Sequence, residues 1–317
     1  MKHCFIINPA SGKGKAQAKL EADINNACRS EGVEYSVYRT TEPGDAERYV
    51  RAACVAGEET RFYACGGDGT LCEVVNGAAG FSCAAVGVIP VGTGNDFVRN
   101  FHPVEKFLDI VSQIRGSIRR IDLIKYNDRY FVNTFNTGFD CEVVKQVVSL
   151  KKNPLIPGKL AYVAGVIKML IKKPGVRITV SVDDGEPQDK DLLLTCVGNG
   201  AYCGGGFHST PYGTPEDGTM DVCFINNVTR RKLLSLLPSY KDGTYVDRRD
   251  APEIAEYVRC SSLDIKFPVK HSVSIDGELE EHESVKLTML SGALRFCLPE
   301  GCECVTPAAF KPIAARV

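Results

Sequence analysis

The sequence predicts a two-domain protein of the α/β plus β class, with a parallel α/β domain followed by an antiparallel β-sandwich. Two observations predict it. From residue 3 to about residue 115, short apolar runs alternate with helix-patterned segments, as in a parallel sheet covered by helices on both faces. After Gly116 strand-like runs follow one another with few helices between them, as in a sandwich. A third observation concerns ligands. The polar loops of the first domain all leave the carboxyl ends of strands, the edge at which such Rossmann-like sheets bind them.

The first strand is His3 to Ile7. It exits into Asn8-Pro9-Ala10-Ser11-Gly12-Lys13-Gly14-Lys15, and a helical stretch runs on to about Arg29. Small residues, glycines and lysines suit either a phosphate turn or a solvated loop, and the spacing is not that of a Walker A loop. Tyr35 to Tyr38 is the second strand, with Arg39 to Asp45 as its exit, and Asp45 to Ala56 is helical in pattern. Arg61 to Cys65 is the third strand, and it enters Gly66-Gly67-Asp68-Gly69-Thr70. Leu71, Val74, Val75 and Ala78 then recur at half-buried helical spacing. Thr70 and Glu73 form a capping-box pair, which starts this helix at Thr70. Glycine lets the backbone approach a ligand closely, and helix-start amides with the helix dipole favour phosphate. Asp68 adds negative charge there, which a bridging Mg²⁺ would explain. The alternative is a tight turn that needs glycine for geometry alone. Ala84 to Val91 is a nearly continuous apolar run, the fourth strand, buried on both faces. It exits into Gly92-Thr93-Gly94-Asn95-Asp96-Phe97, where Asn95 or Asp96 would cap the next helix. Four polar loops (8–15, 39–45, 66–70 and 92–96) on one edge predict a nucleotide site.

The domain boundary falls near 117–121, giving a nucleotide-binding domain over 1–118 and a β-rich domain over 119–298, with 299–317 able to fold back onto the first. Ile121 to Tyr126 and Tyr130 to Phe135 read as a hairpin about Asn127-Asp128. Further strands are expected at Val176 to Val182, Leu192 to Val197, Met220 to Ile225, Leu263 to Phe267, Val273 to Ile275, Val285 to Leu290 and Leu294 to Leu298. Helical inserts are expected at Lys159 to Lys172 and Arg230 to about Tyr240. The first insert, ringed by lysines, suits either an anionic membrane surface or a core helix. The dense glycines of 198–206 precede Asp217-Gly218, which reads as a hard-cation ligand or as a plain turn. Asp276-Gly277-Glu278 offers two carboxylates at a strand exit, and Asp183-Asp184-Gly185-Glu186 imitates it. Position alone does not separate the two.

Composition narrows the function classes. The chain has 317 residues, room for about two domains, and its net charge of −1 offers no field for nucleic acid. Its 14 cysteines are scattered without a zinc-type array, so reduced, packed thiols are expected. The N-terminal apolar run is too short for a signal peptide, and Leu160 to Ile171 is too short to span a bilayer. A cytoplasmic protein is expected, one that touches the inner face of a membrane at most.

The motifs together resemble the bacterial diacylglycerol kinase and related lipid kinases, whose catalytic domain is shared with sphingosine kinases. The resemblance is carried by N-P-x-S-G at 8–12, T-E-x-G-D-A at 41–46, G-G-D-G-T at 66–70, G-T-G-N-D-F at 92–97, D-G-x-x-D at 217–221 and D-G-E at 276–278. It implies an NAD kinase/diacylglycerol kinase-like first domain and transfer of the γ-phosphate of ATP to a lipid alcohol, diacylglycerol foremost, at a membrane surface. It implies a nucleotide cradle of Asn8, Pro9, Ala10, Ser11, Gly12, Thr41, Gly66, Gly67, Asp68, Gly69, Thr70, Leu71, Cys72 and Thr93, with Asn95 and Asp96 of the same loop. It implies a structural Mg²⁺ at Asp217 with backbone oxygens of Thr214 and Thr219. It also picks Asp276-Gly277-Glu278 as the catalytic element, with Glu278 as proton acceptor, Asp276 beside it and Asp68 near the nucleotide's metal. The family usually has Asn where this chain has Cys72, which puts one nucleotide contact in doubt. Two rivals stand beside this reading: a kinase of a soluble metabolite such as NAD, and a nucleotide-binding regulator without turnover. The sequence is compatible with a homodimer and does not decide it.

Overall fold

The computed structural model describes residues 1–11, 15–151, 172 and 175–313. Four strands, β1 (Lys2–Ile7), β2 (Tyr35–Arg39), β3 (Thr60–Gly66) and β4 (Ala84–Pro90), pair in parallel in the order β2-β1-β3-β4. The crossovers are α1 (Lys15–Glu31), α2 (Asp45–Val55) and α3 (Asp68–Ala78). Alternate residues of each strand enter different cores. Cys4, Ile6, Phe62 and Ala64 join one apolar cluster, and Phe5, Ile7, Tyr63 and Cys65 join another. This is why these strands read as continuous apolar runs.

After β4 come a 3-10 helix at Phe97–Asn100, β5 (Phe101–His102), a second 3-10 turn at Val104–Leu108 and α4 (Ile110–Arg115). The β-rich part comprises β6 (Ser117–Tyr126), β7 (Arg129–Phe131), β8 (Thr134–Gly138), α5 (Phe139–Lys151), β9 (Val176–Val182), β10 (Gln188–Gly198), β11 (Met220–Asn226), α6 (Arg230–Lys241), α7 (Ala251–Ile254), β12 (Ala255–Cys260), β13 (Ser262–Ile275) and β14 (Glu278–Leu298). Their mutual pairings are antiparallel. β14 also meets β4 in parallel at Phe296 and Val86, so both halves share one sheet. The short β15 (Glu303–Cys304) pairs with β5.

Several local expectations are corrected. Helix α3 starts at Asp68, not Thr70, with Gly67 at its N-cap. Glu73 does not close a capping box; its carboxylate accepts from Gly44 N (2.9 Å) and Ala46 N (3.1 Å), serving the start of α2 instead. Asp96 stands at the N-cap of the helix after β4, as expected, but its side chain makes no cap bond; Asp68 accepts the amides of Asp96 and Phe97, as described below. The strand expected over Tyr130 to Phe135 breaks at Val132-Asn133, because three amides there turn to Asp276. Leu263 to Ile275 is one strand with a register shift between Lys266 and His271, and 285–298 lies within the 21-residue β14 with a shift between Leu290 and Leu294. Helix α5 and strand β12 were not expected. The helix expected over 159–172 lies outside the described residues, Lys172 apart.

One amide side chain ties the hairpin β6–β7 to α3. Asn76, 2% exposed, donates to the Tyr130 carbonyl (2.8 Å) and the Cys72 carbonyl (2.9 Å) and accepts from Tyr130 N (2.9 Å). Asn76→Ala strands two buried backbone groups, and we expect it to lower the unfolding free energy by ~2–4 kcal/mol in urea titrations, without loss of the folded baseline.

Candidate active site

The four loops at the carboxyl edge are stitched to the first turns of α3. Asn8 Nδ2 donates to Thr70 Oγ1 (3.0 Å), and its Oδ1 accepts from Ala10 N (2.9 Å), which fixes the first loop. Ser11 N closes the same turn on the Asn8 carbonyl. Thr41 donates through N and Oγ1 to Asp45, and Glu73 holds the residues that follow. Gly67 and Gly92 touch backbone to backbone: a Cβ on Gly92 would lie 2.4 Å from Gly67 Cα. A Cβ on Gly66 would collide with Thr70. These glycines are required by close approach rather than by unusual φ. Asn95 does take φ 51°, and its side chain bonds the carbonyls of Pro90 and Gly92.

Carboxylates gather where this edge meets the β-rich half. Asp68 Oδ1 accepts from Asp96 N (2.9 Å) and Phe97 N (3.2 Å). Asp96 Oδ2 accepts from Gly205 N (2.8 Å), and Arg99 lies 3.3 Å from its Oδ1. Burial, then the neighbouring Asp96 charge, holds the Asp68 carboxyl above its ordinary range. Asp276 and Gly277, both at positive φ, form the two-residue turn between β13 and β14. The Asp276 carboxylate accepts from Val132 N (2.9 Å), Asn133 N (3.0 Å) and Thr134 N (2.9 Å). Burial pushes its carboxyl up to about 7, aided by the Asp68 charge and opposed by those amides. Two residues on, Glu278 is exposed and its Oε1 lies over the glycine turn, 2.8 Å from where a Cβ on Gly69 would stand. The imitation at Asp183 to Glu186 is also a hairpin turn, but Asp183 spends its carboxylate on the Ser261 and Ser262 amides, away from this cluster.

A cavity of about 310 Å³ opens beside these acids. Asp68, Asp96 and Asp276 line it, with Asn133 and Thr134, and its deeper wall is apolar: Phe139 and Val143 of α5, Leu193 of β10, and Leu233, Leu236 and Leu237 of α6. That size lies near the lower end of small-molecule pockets, roughly 300–1,000 Å³.

The remaining predicted residues fall unevenly. Leu71 is 1% exposed in the core, and its amide is taken by the Gly67 carbonyl. Cys72 is buried under the hairpin, its thiol 3.5 Å from Asn76 Nδ2, and burial raises it well above the ordinary range. Neither side chain is brought to the open side of the turn. Pro9, Ala10 and Thr93 are exposed on the edge, and Gly12 lies outside the described residues. At the expected structural metal, Asp217 Oδ1 accepts from Thr219 N and Oγ1, its Oδ2 lies 3.4 Å from Arg259, and Thr214 Oγ1 meets the Cys304 thiol. The expected donor set there is one carboxylate, beside a guanidinium, with the two backbone oxygens. Asp68, raised by burial and by the Asp96 charge, would be relieved by a divalent cation carried by a nucleotide. Glu73, Asn76 and the amide of Gly205 were missed. Only the glycine density at 204–206 signalled any of them.

Comparison with known proteins bears on this arrangement. The diacylglycerol kinase catalytic domain matches residues 2–126, and the YegS C-terminal NAD kinase beta sandwich-like domain matches residues 133–298. The chain is similar to proteins named probable lipid kinase YegS-like: that of Citrobacter koseri is 31% identical over 307 residues (94% of this chain, 96% of that one), and that of Alcanivorax borkumensis 30% over 279 residues (86% and 90%). In fold it is similar to a diacylglycerol kinase from Bacillus anthracis (TM-score 0.66, 22% identity, 93% of this chain and 96% of that one). It is similar too to an NAD kinase from Archaeoglobus fulgidus in complex with ATP (TM-score 0.50, 11% identity, 95% and 94%).

Two outcomes follow from the geometry. Gly92→Ala drives a methyl into the Gly67 backbone, and we expect it to weaken ATP binding at least ~10-fold by calorimetry while costing ~1–3 kcal/mol of stability. The second concerns pH. Asp276 carries a folded-state pKa of about 7 against an ordinary 3.8, so the folded form binds the extra proton. Its stabilising contribution is full below pH 4 and is lost as pH rises through 7. The stability advantage of the ligand-free protein over Asp276→Asn should therefore shrink across that window, by on the order of a few kcal/mol. A difference that is flat with pH contradicts the assignment.

Proposed function

The chain belongs to the lipid kinase family that carries the diacylglycerol kinase catalytic domain and the YegS-type C-terminal domain, and from that premise we propose that it transfers the γ-phosphate of Mg-ATP to the hydroxyl of a lipid, diacylglycerol being the reference acceptor. The observation that carries the lipid reading is the cavity: a carboxylate-lined mouth beside the glycine turn leads into an apolar interior. A soluble metabolite such as NAD would give that apolar wall nothing to cover.

In this reading the amides of Gly67 to Thr70, with those of Thr93 and Gly94, cradle the phosphates at the start of α3, where the helix dipole favours them, and the 8–11 loop shapes the rim. Asp68 and Asp96 would hold the cation bound to the nucleotide, and that cation's chemistry is to neutralise charge on the transferring phosphoryl group. The acceptor enters through the cavity with its hydroxyl at the Asp276 end. Asp276, fixed by three amides, sets the turn and the position of the hydroxyl. Glu278 is exposed and free to swing between Gly69 and the acceptor, and it takes the proton as the new P–O bond forms. Water is excluded on the acceptor side by the apolar wall. Among the described residues no helix is long and apolar enough to cross a membrane. The acceptor would then be drawn from a surface that the protein touches peripherally. The lysine-ringed segment at 151–173 remains a proposal for that contact, because most of it lies outside the described residues.

The test is turnover with ATP and Mg²⁺ on a panel of lipid alcohols, sugars and NAD. Lipid phosphorylation is expected, and phosphorylation of NAD alone overturns the reading. Glu278→Gln should lower kcat by ~10²–10⁴ with ATP affinity and melting temperature retained. Asp276→Asn should lower activity and stability together, because an amide NH₂ would face backbone N–H groups.

A further inference from the structure

The acceptor cavity holds three polar groups that phosphoryl transfer leaves idle. Asp140, in the first turn of α5, lines it, and no hydrogen bond or ion pair engages its carboxylate among the described residues. Tyr240 of α6 is 4% exposed and lines the same cavity with a hydroxyl that has no partner. Asn136 of β8, 6% exposed, lines it too, and its Oδ1 is likewise unpartnered. Burial alone pushes the Asp140 carboxyl up to about 6, and Asp140 and Tyr240 line the one cavity.

An acid in the first turn of a helix gains from the helix dipole wherever it stands. That accounts for an acidic residue at the start of α5. It does not account for two buried polar atoms, from β8 and α6, left without partners in the same cavity as the half-buried Asp140. Buried polar groups are normally satisfied, and leaving one unpaired costs stability. Three on one apolar surface fit a ligand that completes them. Two of the three, the Asn136 oxygen and the Asp140 carboxylate, are acceptors, so what they lack is a donor.

We propose that Asp140, Asn136 and Tyr240 form a headgroup subsite, and that the preferred acceptor lipid carries a second hydrogen-bond donor, an amine or a free hydroxyl, near the hydroxyl that is phosphorylated. This rests on the lipid-kinase reading above and sharpens its acceptor. The oxygens beside the free hydroxyl of a 1,2-diacylglycerol are ester oxygens, which only accept. That lipid would leave both protein acceptors unpaired, and a site built to bond a donor rejects the analogue lacking it. Asp140 acts here in specificity and holds no reacting atom.

The test compares kcat/KM of the full chain, with ATP and Mg²⁺ in mixed micelles, on three acceptors of equal chain length: a 1,2-diacylglycerol, a 1-monoacylglycerol and a long-chain 2-amino-1-alcohol. At least one donor-bearing lipid is expected to exceed the diacylglycerol by ~10-fold or more, the worth of one hydrogen bond to a charged group. The two donor arms separate hydroxyl from amine. Asp140→Leu should collapse that ratio toward one, mainly through KM. Tyr240→Phe, which removes a single oxygen and preserves packing, should reduce the ratio in the same direction and keeps the test open if Asp140→Leu does not fold. A wild-type ratio of one or below, or a ratio unchanged in a folded variant, overturns the subsite while leaving lipid phosphorylation standing. No turnover of any lipid overturns both.

Discussion

The site depends on one buried carboxylate. Asp276 draws the amides of Val132, Asn133 and Thr134 to itself, and in doing so ends β7 and starts β8 on a new course. Without that break, β7 would continue beside β6, and β8 would not cross to pair with β10 and β13. The same contact fixes the turn that sends Glu278 over Gly69. Strand connectivity, the mouth of the cavity and the reach of the exposed acid therefore share a single cause. Three amides on one carboxylate form a stiff support, because moving any of them leaves a buried donor unsatisfied.

Negative charge is concentrated around that support. The Asp96 charge raises Asp68, Asp68 raises Asp276, and no cationic side chain other than Arg99 is paired with these three acids among the described residues. A triphosphate by itself would be repelled. A triphosphate with its bound cation satisfies the acids and the helix-start amides together. In the proposed reaction the cluster would favour the metal complex of the nucleotide over the free anion, and the ligand-free protein carries raised Asp68 and Asp276 carboxyl pKa values.

The first half of the fold was legible because its signal is local. Each strand of the parallel sheet is short and followed by its own loop and helix, and β1, β3 and β4 are apolar on both faces, so alternation alone gives β1 to β4 and their order along the chain. The glycine turn and the acids of 276–278 were legible by motif. What stayed hidden is set by distant partners. Glu73 was read as a partner of Thr70 because the two are three residues apart, whereas its bonds are to Gly44 and Ala46. Asn76 and Asn136 carry no local pattern at all. Helix α5 follows directly on β8 without a loop to announce it, and β12 mixes polar and apolar residues because it lies at the end of the sheet order beside β11. Cys72 departs from the family's usual residue at a position whose side chain faces the Tyr130 hairpin, which is consistent with a thiol standing where an amide is customary.

Strand β14 is continuous from the turn at Glu278 to Leu298, bonded in succession to β13, β6 and β4. Its parallel contact with β4, at Phe296 and Val86, ties the two halves into one sheet. Swinging of one half against the other works against that contact, whereas torsion of the sheet and displacement of the elements that roof the cavity, α5 and α6, leave it in place. In the proposed reaction, substrate admission would then be a property of that roof and phosphate grip a property of the floor, leaving the affinities for lipid and nucleotide free to be tuned separately.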